Sequence, residues 1–185
     1  MTRRARAIGY AIGWAGLITG AEWLARRPPR RRSQAWLLAY GALGGLALLS
    51  GARLAPRSGG LSLPGLTLAA IGYPLGRRLM GDRLSDAPSQ HLALELAALE
   101  VVAITEELTW GAIVEPELGS AAAAALFAAK HVLIDGRWRR GLGLFAFWLG
   151  LAAQRRRWPV LAMLVHAALN GAGVVQGHVS GRDRF

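Results

Sequence analysis

The chain contains no cysteine among its 185 residues, and Lys130 is its only lysine. The absence of cysteine excludes a disulfide framework, a thiolate zinc site and a cysteine nucleophile. Charged residues are also scarce at 18%, whereas hydrophobic residues make up 53% of the chain and the mean hydropathy is +0.30. The length fits one domain, and the composition favours a membrane protein over a soluble one.

Three sequence signatures of hydrolytic sites are absent. The chain has no Gly-x-Ser-x-Gly motif, no pair of aspartates within an apolar run and no His-Glu-x-x-His motif. These absences argue against a serine nucleophile on a strand-to-helix turn, an aspartyl dyad and a zincin helix. No internal repeat of the length typical of solenoids is visible either.

Basic residues outnumber acidic ones, 22 to 11, which gives a formal charge of +11 and a pI near 11.6. The arginines form short clusters between apolar runs and do not accumulate on one face. They lie at Arg3/Arg4/Arg6, Arg26–Arg32, Arg77/Arg78, Arg137–Arg140 and Arg155–Arg157. Arginines that flank membrane helices contact lipid phosphates in this way. We therefore expect membrane lipids as partners and no nucleic acid.

The apolar runs predict an all-α, polytopic helical bundle with about six to seven transmembrane helices, located in the cell (plasma) membrane. The runs are Ala5–Ala25, Ala35–Ala52, Leu61–Gly76, His91–Val114, Gly119–Ile134, Gly141–Gln154 and Trp158–Val175. Leu61–Gly76 is shorter than the roughly 20 residues that a span needs, so it is either a short crossing or a re-entrant segment. Arg77–Gln90 is predicted to be a loop, and Pro116 with Gly119 to form a turn.

Two adjacent carboxylates, Glu106 and Glu107, lie in the middle of one of these apolar runs. A charge deep in hydrocarbon costs roughly 2.5–3.5 kcal/mol, so such residues usually face a polar cavity and serve a function. Successive helical residues lie about 100° apart, so the two side chains are predicted to point in different directions.

Two later helices carry polar residues at helical spacing, Phe127 with His131 and His166 with Asn170. Counted from the nearest turn, Glu106 and His131 lie roughly 15–20 Å deep and His166 roughly 12 Å deep, at 1.5 Å per residue. Because neighbouring helices alternate in direction, these groups can converge in one buried cavity. Each pattern alone fits a structural interpretation, in which a buried imidazole or a Glu–Lys or Glu–His pair only joins helices. Their combination at matched depth favours a functional site.

The three motifs together resemble the CPBP family of intramembrane proteases, which includes the type II CAAX prenyl endopeptidases and bacteriocin-processing or Abi-like proteins. The family has a Glu-Glu motif that ends in Arg, then Phe-x-x-x-His, then a His followed four residues later by Asn or a similar residue. The similarity covers about Leu92–Val175. It implies N-terminal transmembrane helices and charged loops in residues 1–90, a four-helix catalytic core in 91–176 and a polar tail in 177–185.

The resemblance implies an intramembrane endopeptidase that acts on a peptide or membrane-protein substrate. In that family role, Glu106 and His131 bind and activate water, His166 and Asn170 polarise the scissile carbonyl, and Glu107 orients groups or balances charge. Glu106, His131 and His166 could also ligate zinc. The same residues could activate water without a metal, so the cofactor stays open.

One position departs from the family pattern. The motif arginine would stand four residues after Glu107, and Gly111 occupies that position. Lys130 could supply the missing positive charge from the next helix. The alternative is a non-proteolytic membrane protein of the same fold, such as an immunity factor or scaffold. A small proton-linked transporter would use the same buried acids as relays.

Overall fold

The computed structural model describes residues 2–25, 32–55, 59–80, 92–135 and 138–180. These residues form helices and no strand, which confirms the predicted all-α class. The helices are α1 (Arg3–Ala25), α2 (Arg32–Leu49), α3 (Leu63–Met80), α4 (Leu92–Glu106), a π-helix (Glu107–Val114), α5 (Glu115–Leu118), α6 (Ser120–Asp135), α7 (Trp138–Arg155) and α8 (Pro159–Ser180).

Helix α3 contains most of the Leu61–Gly76 segment, whose position relative to a membrane stays a prediction. It is one continuous helix that contains Pro74 and extends to Met80. The predicted loop at Arg77–Gln90 is therefore wrong for its first four residues, and the rest of it lies outside the described residues. The predicted loop around Pro28 and Pro29 also lies outside them.

The turn after the carboxylate helix comes later than Pro116. Proline fits the first turn of a helix because its missing N–H has no partner there, and Pro116 stands in the first turn of α5. The chain turns at Gly119, whose φ of +83° lies in the region that favours glycine. At the other end, the predicted polar tail begins inside α8, which continues to Ser180; residues 181–185 lie outside the described part.

The helices of the two predicted segments, 1–90 and 91–176, pack against each other. Helix α3 packs extensively on α7, α2 on α4, and α1 on the π-helix. One hydrophobic core cluster takes side chains from both segments, including Trp14, Tyr40, Trp110, Phe127 and Trp148. The N-terminal helices therefore form one wall of the core that surrounds the polar residues.

Glycines bring α3 and α7 into backbone contact. A Cβ atom added to Gly72 would lie 2.5 Å from the backbone nitrogen of Phe147. One added to Gly143 would overlap the backbone of Gly76, and one added to Gly150 would overlap that of Gly65. Small residues at such an interface let helix backbones approach closely, as membrane helices commonly do.

The described helices enclose a mainly apolar core that also buries several polar groups, and they expose several large apolar side chains. Among the described residues, ten polar or charged side chains are buried: Thr105, Glu106, Glu107, Thr109, Glu115, Lys130, Gln154, Arg155, His166 and Asn170. By contrast, Leu38 is 75% and Leu49 is 88% exposed. Ionisable residues are almost never fully buried unless they are paired, so each buried charge needs a partner.

Only one helix in the described ranges is both long and apolar enough to cross a bilayer. This stretch is Pro159–Gln176 of α8, with a mean hydropathy of 1.4. A single such helix is weak evidence, since the core helix of a soluble protein passes the same test. Helix length and hydropathy therefore do not support the predicted six to seven crossings.

The α3–α7 contact gives a test of the packing. We expect Gly72→Ala to lower the free energy of unfolding by roughly 1–3 kcal/mol, because the added methyl group meets the α7 backbone. Gly41→Ala on α2 is the matched control, since a Cβ there meets nothing within 4 Å and alanine favours the helix. Thermal or denaturant unfolding of the purified protein measures the stability of both variants. Equal changes in stability would contradict the close approach of the α3 and α7 backbones.

Candidate functional site

The two adjacent glutamates lie where the helix changes its hydrogen-bonding pattern. Glu106 is the last residue of α4, and Glu107 begins the eight-residue π-helix. At its end, the Glu115 N–H donates to the Trp110 carbonyl, five residues earlier. Such i→i+5 segments are rare, and they occur frequently at functional sites.

Glu106 forms an ion pair with Lys130 of α6. The Lys130 ammonium group donates to Oε1 of Glu106, and both side chains are almost fully buried. Lys130 Nζ also lies 3.8 Å from the ring centroid of Trp14 and 4.2 Å from that of Phe127. The aromatic faces shield this charge from water and attract it electrostatically.

Glu107 is held by an arginine from α7. Nε of Arg155 donates to Oε2 of Glu107 at 2.7 Å, and Nη2 donates to Oε1 at 3.1 Å. The third guanidinium nitrogen, Nη1, donates to the carboxylate of Glu115. Arg155 thus joins two buried acids, one at the start of the π-helix and one just after its end. The prediction that Lys130 would balance Glu107 is wrong, since Lys130 pairs with Glu106.

Gly111 leaves the space that Arg155 occupies. A Cβ atom added to Gly111 would lie 2.6 Å from Nε of Arg155. The position where the resembled family carries its motif arginine is therefore open, and a guanidinium group from α7 lies against it. In this chain the positive charge next to Glu107 comes from a different helix.

His166 of α8 lies between the two carboxylates. Its Nδ1 is 3.1 Å from Oε1 of Glu107, and its Nε2 is 3.4 Å from Oε2 of Glu106. The prediction that Glu107 points away from the partners of Glu106 is wrong. The α-helical angle of 100° does not apply where the π-helix begins, and both side chains are long enough to reach one imidazole.

Aromatic rings surround the imidazole of His166, which is 1% exposed. Its ring centroid lies 5.0 Å from that of Phe147, 6.1 Å from Trp148 and 6.5 Å from Phe127. Charges interact more strongly in such a low-dielectric setting than in water. The core thus holds a cluster of three carboxylates, two fixed cations and one titratable imidazole.

The predicted partners His131 and Asn170 do not join this cluster. His131 is partly exposed, and its ring centroid lies 5.1 Å from that of Phe127. Asn170 is buried on α8 one turn after His166. Neither side chain makes a hydrogen bond with another residue in the described ranges.

The residues do not fit the suggested zinc site. In the part of the chain that the structure describes, no three His, Asp or Glu side chains form a group that could hold a metal ion. Lys130 already pairs with Glu106, and the ring of His131 packs against Phe127. Because the ammonium group of Lys130 lies against the carboxylate of Glu106, its positive charge disfavours a metal cation at the same carboxylate.

The cluster can carry a proton between its members. An imidazole donates from both nitrogens only when both carry protons, and each nitrogen of His166 has a carboxylate beside it. A proton on His166 can therefore move toward either Glu106 or Glu107. Such an acid–imidazole–acid arrangement suits general acid–base chemistry, and it equally suits proton transfer.

Arg155, Glu115 and Trp14 are the site residues that sequence reasoning missed. Arg155 stands first in a run of three arginines, a pattern typical of a loop at lipid headgroups, yet it is 7% exposed. Trp14 belongs to an apolar run with no polar signal. The departure at Gly111 was the only sequence sign that a cation had to come from elsewhere.

The burial of Arg155 predicts that substitutions of Arg155 and of its neighbour Arg156 change the free energy of unfolding by very different amounts. Arg155→Met should lower the free energy of unfolding by about 3–5 kcal/mol, because it leaves Glu107 and Glu115 buried without their cation. The control Arg156→Met changes an exposed side chain that donates to Ser120, so we expect little effect. The unfolding midpoints of the two variants compare their stabilities directly. Similar losses of stability would contradict the buried ion pairs of Arg155 with Glu107 and Glu115.

The close contact between Gly111 and Arg155 predicts that the arginine can be moved from one position to the other. Gly111→Arg alone should destabilise the protein, because the new side chain collides with Arg155. Combining it with Arg155→Gly should recover stability beyond the sum of the single effects, since one guanidinium group again meets Glu107. A double-mutant cycle on unfolding free energies measures this coupling. A purely additive result would show that the two positions do not share one site.

Comparison of the chain with known protein families, characterised proteins and solved structures gave no match. The resemblance to the CPBP family therefore rests on the three motifs in the sequence.

Proposed function

We propose that the chain is a multi-pass protein of the cell membrane and an intramembrane endopeptidase that hydrolyses peptide bonds through a glutamate-activated water. The observation that carries this proposal is the buried imidazole of His166 between the carboxylates of Glu106 and Glu107. Isolated buried ionisable groups are costly, and clusters of them usually mark functional sites.

Two features support placement in a membrane. The described residues bury ten polar or charged side chains while large aliphatic ones lie on the outside. That arrangement suits a lipid environment, in which outward-facing side chains meet hydrocarbon. The second feature is the occurrence of arginines, other than the buried Arg155, in clusters between the apolar runs, a pattern typical of loops that flank membrane helices.

The proposed mechanism assigns the proton transfers to Glu106 and His166. A water bound beside Oε2 of Glu106 would lose its proton to the carboxylate as it attacks the peptide carbonyl. Glu106 would pass that proton to Nε2 of His166, and His166 would deliver it to the leaving amine as the C–N bond breaks, which returns both groups to their starting state. Lys130, already in contact with Glu106, would stabilise the negative charge that develops on the carbonyl oxygen.

The remaining residues act through position in this proposal. Arg155 holds Glu107, and Glu107 fixes the orientation of the His166 ring through Nδ1. Asn170, one turn along α8, is a neutral donor for the scissile carbonyl. The contacts support His166 over His131 as the imidazole that works with Glu106.

A non-proteolytic membrane protein, such as an immunity factor or scaffold, is the second candidate. The observation that favours it is that each glutamate of the pair already has a cation: Lys130 for Glu106 and Arg155 for Glu107. Under this candidate the ion pairs have a structural role alone, which is to join α4, α6, α7 and α8.

Comparison of protein N-termini in the native host tests the two candidates. A deletion strain would carry the wild-type chain, Glu106→Gln or the control Glu117→Gln on α5. We expect peptide N-termini that appear with the wild type and with Glu117→Gln but not with Glu106→Gln, because an amide cannot accept the proton from water. Identical N-termini in all strains, with equal amounts of each protein in the membrane, would favour the non-proteolytic candidate.

The two histidines separate the geometric assignment from the one implied by family resemblance. His166→Ala should abolish cleavage of a substrate found in that comparison, whereas His131→Ala should retain most activity, since His131 contacts Phe127 and not the glutamates. Rates measured with purified protein in lipid nanodiscs decide between them. Loss of activity in His131→Ala as well as in His166→Ala would favour the assignment that the family resemblance implies.

A further inference from the structure

A groove on the side of the bundle lies between α1, α2 and the π-helix. Its volume is about 290 Å³. The walls are mostly apolar, and they include Trp14, Leu17, Leu43 and Leu46. Leu17 is 58% and Leu46 49% exposed, so the groove opens outward and is not part of the closed core. None of the residues in the Glu106–Glu107 cluster lines it.

The length of the groove matches one leaflet of a bilayer. Along α1 its lining runs from Arg6 to Leu17, which is roughly 16 Å at 1.5 Å per residue. The hydrocarbon core of a bilayer is about 30 Å thick, so one leaflet contributes about 15 Å. A single extended acyl chain could therefore lie along α1 within the groove.

Positive charge gathers at one end of the groove. Arg6 lines that end, and Arg3 and Arg4 precede it, exposed in the first turn of α1. The guanidinium group of Arg6 at the mouth of an apolar channel complements an anionic headgroup above an acyl chain. Arginine also binds phosphate oxygens through two parallel hydrogen bonds.

Two glycines leave room for the chain. Added Cβ atoms at Gly9 and Gly13 would meet nothing within 4 Å, and both residues line the groove. Trp14 forms part of the wall, and its ring is the one that Lys130 Nζ approaches at 3.8 Å. A molecule in the groove would thus contact the same indole ring that carries the cation of the buried cluster.

We propose that this groove binds one acyl chain of an anionic phospholipid, with the headgroup phosphate at Arg6. The proposal rests on the membrane placement given above and not on hydrolytic activity. Arg6 provides selectivity for negative charge, and the open sides of Gly9 and Gly13 provide the space for the chain.

Native mass spectrometry of delipidated protein in detergent tests the proposal. The probes are phosphatidylglycerol and phosphatidylcholine with identical acyl chains. We expect one tightly retained phosphatidylglycerol and weaker binding of phosphatidylcholine. Arg6→Gln should weaken phosphatidylglycerol binding about fivefold and reduce the difference between the lipids. Gly13→Leu should remove the retained lipid of either kind, because its side chain fills the groove.

Matched variants control for general effects on the surface. Arg4→Gln removes an exposed arginine that does not line the groove, and Gly45→Leu adds a side chain to an open position on α2 beside it. Both should bind phosphatidylglycerol like the wild type. Equal binding of the two lipids, or equal effects of Gly13→Leu and Gly45→Leu, would overturn the proposal.

Two further outcomes are distinguishable. A protein that dimerises through this face and retains no lipid would show a second copy as the occupant and would also overturn the proposal. Extraction of the chain from cells without detergent would refute the membrane placement itself. Failure of the cleavage experiments would leave the lipid result standing, because neither Arg6 nor Gly13 belongs to the acid–imidazole cluster.

Discussion

The buried pair of Arg155 and Glu107 is the interaction on which the arrangement of the core depends. Removing a carboxylate and a guanidinium group from water costs several kcal/mol each, and attraction between them offsets this only with good geometry. Here the geometry is bidentate, and Glu115 meets the remaining nitrogen. The pair fixes α7 against the π-helix, and through Glu107 it fixes the ring of His166.

Packing around this pair serves to exclude water. Trp148 lies under the guanidinium group of Arg155 at 4.6 Å, and the same ring stacks on Phe127. Phe127 in turn contacts Lys130 and His166. The aromatic residues thus connect the two ion pairs into a single structure, so that a change at one pair would be felt at the other.

Sequence reasoning predicted the helical class and the positions of most helices, because long apolar runs bounded by arginine, proline and glycine are strong local signals. It also predicted that Glu106 and His166 would meet, because the depth of each residue can be counted along its helix from the nearest turn. Local signals cannot show which side of a helix faces its neighbour. This is why Lys130 was assigned to the wrong glutamate and His131 was placed in the cluster.

Two features of the core could not be predicted from the sequence because they depend on tertiary contacts. Arg155 looks like any other residue of an arginine run, and only packing shows that it is buried beside Gly111. The π-helix has no reliable composition of its own. It forms where the contacts of neighbouring helices favour a wider turn over the α-helical one.

That wider turn also ties the site to the exact length of the segment. A π-helix holds more residues per turn than an α-helix, so deleting one residue between Leu108 and Val114 would let the segment close into regular α-helix. The flanking helices would keep nearly the same relative orientation, but the residues inside the segment would point in new directions. Gly111 would then no longer face Arg155, and the charged core would be lost without any charged residue having changed. The spacing of this segment therefore constrains the protein as strictly as the identity of its ionisable residues.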